Sequence, residues 1–80
     1  MVTPEQVKTY IEQHLECAQI EVGGDGQHFE ALIVSTLFHG KSRVQRHQLV
    51  YAALGDRMRE EVHALSMMTL TPEEFGARRA

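Results

Sequence analysis

The chain has 80 residues, 42% of them apolar and 24% charged, and carries a net charge of −3 at pH 7. That length fits one domain and leaves no room for a second, while the composition excludes a disordered or fibrous chain. The acidic balance also excludes strong global attraction to nucleic acid, so a role of that kind must rest on a local patch.

Three helix starts carry Ser or Thr followed three residues later by Glu or Gln: Thr3 with Gln6, Ser42 with Gln45, and Thr71 with Glu74. Each spells a capping box, in which two side chains and two backbone amides satisfy one another at a helix start. Pro4 and Pro72 follow two of them, at the first helical position where a missing N–H costs nothing. In the first helix, placed at about 4–15, Val7, Tyr10, Ile11 and Leu15 form an apolar stripe. The period then changes to two through Ala18, Ile20 and Val22, and Gly23-Gly24-Asp25-Gly26 breaks it. This predicts a hairpin of strands Ala18–Gly23 and His28–Thr36. A Phe38-His39-Gly40 turn leads to a helix over Arg43–Leu54, with a further turn to Arg59 after Gly55. A third strand is expected over His63–Thr71, with a frayed tail over 76–80.

The order α-β-β-α-β implies an α+β fold. Its last two strands, joined by a helical crossover, are parallel, the sheet is three-stranded and mixed, and the helices pack on one face. No apolar run approaches the roughly 20 residues that cross a bilayer, and one Cys cannot form an internal disulfide. The default expectation is a cytoplasmic or organelle-matrix protein, the cytoplasm being preferred, with no membrane role.

The segment from Phe38 to Tyr51 contains an aromatic-Gly turn followed by Arg43-Val44-Gln45-Arg46-His47-Gln48-Leu49-Val50-Tyr51, and a later strand opens with His63-Ala64-Leu65-Ser66. Together these resemble the BolA-like family, and the resemblance runs from about Val7 to Glu74. The short Gly-Asp-Gly loop and the Thr71-Pro72-Glu73-Glu74 segment are similar to its acid-stress branch. The resemblance implies a type II KH-like fold and an adaptor, not an enzyme, that forms a heterodimer with a monothiol glutaredoxin. Between them the two proteins would hold a [2Fe–2S] cluster. His63 is then the recurrent ligand, and a second comes from the loop between the first two strands, where His28 is either that ligand or a surface residue opening a strand. Such a cluster needs four donors, so the glutaredoxin Cys and a bound glutathione would supply the others. Neutral imidazoles in place of thiolates raise its potential and give it ligands that protonate on acidification.

The other histidines read as structural: His14 beside the apolar stripe, His39 in a turn, and His47 packed toward the sheet edge. Cys17 precedes the first strand and does not match the loop position. Met58, Met67 and Met68 read as gap-filling or interface residues, and Glu60-Glu61 as a surface helix end. No nucleophile with an evident base appears. Lys41, Arg43 and Arg46, near Arg57 and Arg59 in the sequence, form either a solvated helix face or a phosphate-binding patch. This keeps open a KH-like nucleic-acid binder, a transcriptional regulator contacting DNA. A weak homodimer is also open. Gly23-Gly24-Asp25-Gly26 matches the KH Gly-x-x-Gly spelling but joins two strands, and Gly40-Lys41-Ser42 lacks the upstream Gly of a phosphate-binding loop, having Ser35 there.

Overall fold

The computed structural model describes residues 2–62 and 64–79, with backbone alone at 57–59 and at Arg79. The element order is α1 (Pro4–His14), β1 (Gln19–Gly24), β2 (His28–Val34), a 3-10 turn (Thr36–Phe38), α2 (Arg43–Glu61), β3 (Ala64–Leu70) and α3 (Pro72–Arg79). The sheet order is β1-β2-β3, with β1 antiparallel and β3 parallel to β2. The expected α-β-β-α-β arrangement is therefore present, extended by a third helix. The expectations for His63 and for the side chains of Arg57, Met58 and Arg59 fall outside the described residues.

All three capping boxes form. At α1 the Thr3 N–H donates to Gln6 Oε1 at 2.9 Å and the Gln6 N–H to Thr3 Oγ1 at 3.1 Å. Ser42 with Gln45 and Thr71 with Glu74 repeat the exchange. Each box satisfies amides that a helix start leaves without intrahelical partners.

One sheet face and two helix stripes make the core. Ile20, Phe29, Ala31 and Ile33 alternate inward along β1 and β2, and meet Val7 and Ile11 of α1, Leu15 at its C-cap, and Val50, Ala53 and Leu54 of α2. Phe29 and Phe38 are the largest fully buried side chains, and each contributes about 1.5–3 kcal/mol through burial. The opposite sheet face presents exposed Glu21, Glu30, Ser66 and Met68.

The element limits differ from expectation where tertiary bonds end an element. β2 stops at Val34 because Ser35 leaves the strand: its fully buried hydroxyl donates to the Glu16 carbonyl at 2.7 Å and accepts the Leu37 N–H at 3.1 Å. β3 ends at Leu70 because Thr71 becomes the cap of α3. Helix α2 runs on to Glu61 across Gly55, whose φ of 74° and ψ of 167° interrupt the helical backbone. A side chain rarely adopts that φ, so glycine permits the change of direction. The chain end departs most from expectation. The tail expected to fray from residue 76 is helical through Arg79, held by the Thr71 cap and by a long-range pair described below.

Candidate functional site

The β1–β2 turn is shaped by two glycines and one carboxylate. Asp25 accepts the backbone N–H of Gln27 at 2.9 Å and of His28 at 2.8 Å, and its own N–H donates to the His28 carbonyl at 3.1 Å. The His28 and Gln27 amides hold the Asp25 carboxyl below its ordinary value. The loop is thus an Asx turn that closes on His28. Gly24 has φ 152°, and a Cβ there would collide with the His28 carbonyl oxygen and press on the Phe29 Cα and ring. Gly24→Ala is expected to destabilise the fold by about 1–3 kcal/mol, because backbone rather than a flexible side chain must move. Urea unfolding measures this, and a loss below a few tenths would show that the turn has another conformation available.

His28 opens β2 with an exposed side chain, and its register partner in the parallel ladder is Ala64, the first residue of β3. Ala64 follows His63 in the sequence, so the topology brings the starts of the two strands together. A cleft of about 770 Å³ lies there, lined by Val2, Gln6, Gly26, Gln27, His28, Glu60, Glu61 and Ala64. Glu60 and Glu61 are exposed at the end of α2 and reach this cleft only through the tertiary fold. Periodicity could not reveal them, since in sequence they read as a helix end.

His28 provides an accessible imidazole, a donor type that suits iron, and no described residue bonds its ring. No group of three or more His, Cys, Asp or Glu able to enclose a metal ion occurs among the described residues. Cys17 lies elsewhere: its thiol donates to the Leu15 carbonyl at 3.2 Å, and burial, with a smaller contribution from Glu12, raises its pKa.

The remaining histidines have separate surroundings. His14 stacks on Tyr10 with ring centroids 4.9 Å apart, and its Nδ1 bonds the Tyr10 carbonyl at 2.8 Å. His39 is paired through Nε2 with Glu73 Oε1 at 3.0 Å, a partner 34 residues away by number that the turn motif did not reveal. His47 is half-buried and its pKa is lowered, first by burial and then by Arg43. No described residue bonds its ring.

The basic cluster divides into two kinds of residue. Lys41 and Arg43 are exposed at the start of α2. Arg46 is committed internally: its Nε donates to the Lys41 carbonyl at 2.9 Å and its Nη1 to the Thr69 carbonyl at 2.9 Å. The guanidinium also grips the Glu74 carboxylate, at 2.7 Å through Nη1 and 3.4 Å through Nη2. It lies 5.8 Å from the Phe38 ring centroid, within cation–π range. This bond set makes Arg46 a tie between α2, β3 and α3, and leaves Lys41 and Arg43 as the exposed cations of the trio.

Residues 2–74 match the model of the family described as BolA-like protein. The chain is 33% identical over 75 residues to the "Acid stress protein IbaG" of Escherichia coli (strain K12), covering 92% of this chain and 89% of that protein. It is 40% identical over 55 residues to the "DNA-binding transcriptional regulator BolA" of Haemophilus influenzae, covering 69% of this chain and 53% of the regulator. The solved structure of a BolA homologue from Coxiella burnetii superposes with a TM-score of 0.80 at 43% identity, covering 95% of this chain and 99% of the other.

Proposed function

The chain belongs to the family of BolA-like proteins, and on that premise we propose that it is an adaptor pairing with a monothiol glutaredoxin to hold a [2Fe–2S] cluster in transit. The observation carrying this reading is the cleft in which exposed His28 faces the start of β3, next in sequence to His63. His63 and His28 are the proposed donors from this chain, and the glutaredoxin Cys and glutathione thiolate complete the set of four. An imidazole nitrogen binds either iron or a proton, so falling pH favours release of the cluster from this side. Glu60 and Glu61 place negative charge beside the cleft, which disfavours reduction of a cluster held there.

Anaerobic reconstitution with a monothiol glutaredoxin and glutathione, read by visible absorption and circular dichroism, tests the reading. A heterodimer spectrum distinct from that of the glutaredoxin homodimer is expected, abolished by His63→Ala and altered by His28→Ala. If His28→Ala leaves the spectrum unchanged, the second donor is not His28. If adding this chain leaves the glutaredoxin spectrum as it was, the adaptor reading fails.

A second reading, nucleic-acid binding, is favoured by the exposed pair Lys41 and Arg43 and by the name of the Haemophilus influenzae relative. It predicts DNA affinity that falls steeply with salt and with neutralisation of Lys41 and Arg43, and that does not respond to glutathione.

A further inference from the structure

β3 is an edge strand, paired on one side only. The Leu70 carbonyl accepts the Ser35 N–H at 3.0 Å, so Leu70 turns its backbone groups toward β2. Alternation then points those of Leu65, Met67 and Thr69 outward. Arg46 takes the Thr69 carbonyl, and no other described residue bonds these outward groups. A groove of about 770 Å³ runs along this edge between α2 and α3, with Lys41, Arg43 and Arg78 at its rim and Met67 and Met68 at its floor. Natural proteins shield such edges with charge or with covering elements. Here the charge is of one sign: Glu74 neutralises Arg46, whereas no described carboxylate pairs with Lys41, Arg43 or Arg78. In a chain of net charge −3, this is a local reversal.

We propose that this groove receives an extended acidic segment of a partner protein, added to β3 as a fourth strand and held at its rim by Lys41, Arg43 and Arg78. The outward backbone groups supply ladder bonds, and the cations supply the choice of acidic side chains, as in other β-augmentation sites. A second copy of this chain is disfavoured, because joining two β3 edges would bring two triple-cation rims together. Single-stranded nucleic acid is disfavoured because no Phe, Tyr or Trp lines the groove among the described residues, and the one ring there, His47, is half-buried on α2. The site is separate from the cleft at His28, and the inference does not depend on the cluster.

The probe is a fluorescein-labelled octapeptide of alternating Glu and Val, measured by anisotropy on the intact chain, beside two versions N-methylated at alternate amides in the two possible frames. Binding of the parent peptide is expected. One methylated frame should lose about tenfold or more in affinity through two or so lost ladder bonds, while the other frame retains binding. Lys41→Glu with Arg43→Glu should weaken the parent by at least as much. Both substitutions lie on exposed positions, and circular dichroism will verify that the fold is kept. Equal binding by both methylated frames overturns strand addition. Failure of the peptide at millimolar concentration overturns the proposal. A labelled oligothymidylate that binds where the peptide does not assigns the groove to nucleic acid, and a sedimentation shift to dimer that Lys41→Glu strengthens assigns it to a second copy. Either result overturns it as well.

Discussion

Phe38→Ala is expected to lower the free energy of unfolding by about 3–5 kcal/mol, the range for truncating a fully buried aromatic ring. Phe38 has no exposed surface, and its position is fixed by the Ser35 cap of the 3-10 turn beneath the guanidinium of Arg46. A domain of this size is worth on the order of 4–12 kcal/mol in total, so the variant should sit at the margin of folding. Phe38→Leu, which keeps part of the volume, should lose about 1–2 kcal/mol and gives a measurable transition in urea. A loss under about 1 kcal/mol for the alanine variant would mean that the turn repacks freely and that the core is anchored elsewhere.

Arg46→Ala follows at about 2–3 kcal/mol, since it leaves the Thr69 carbonyl unbonded at a half-buried site, frees Glu74 and uncovers one face of Phe38. At roughly 4–8 °C per kcal/mol for a domain this size, the melting temperature should fall by about 10–20 °C. Arg46→Lys should recover less than half, because an ammonium cannot reproduce the fork that reaches two elements at once. The pH dependence separates the ion pair from the rest. Arg46 and the Thr71 amide hold the Glu74 carboxyl down from 4.5 to about 2. A carboxyl depressed by folding stabilises the fold wherever it is ionised in both states. Its contribution is therefore complete above 4.5 and lost as pH falls through about 2. The gap between wild type and Arg46→Ala should narrow over that window. A constant gap would assign the whole effect to Thr69 and Phe38. A phosphate-contacting role for Arg46 would instead leave the melting temperature nearly unchanged.

Local signals were legible because the bonds that realise them are local. The capping boxes at Thr3, Ser42 and Thr71 each need only four consecutive residues, and the alternation through Ile20 and Val22 directly reports one covered face. The third helix was half legible. Its cap was evident, yet Gly76 and the closing arginines read as a loose tail, because the Glu74 to Arg46 bond that helps hold it spans residues far apart in sequence. For the same reason three basic residues near the second helix looked alike. Sequence cannot distinguish an exposed cation such as Arg43 from one whose donors are already engaged. At the candidate site, His28 was visible as a loop residue, while Glu60 and Glu61 became neighbours of it only when the end of α2 and the start of β2 met at the same rim.

The parallel register of β2 and β3 also sets an order of events. The β1–β2 hairpin is closed by a short turn and can form in microseconds, before the rest of the chain has settled. β3 cannot join until the whole of α2 has been laid down to carry the chain back, and such non-local pairing comes late. The rim where His28 meets the start of β3 therefore has no counterpart in a half-folded chain. A partner of the kind proposed above would therefore find this rim only on a chain whose β2–β3 pairing is complete.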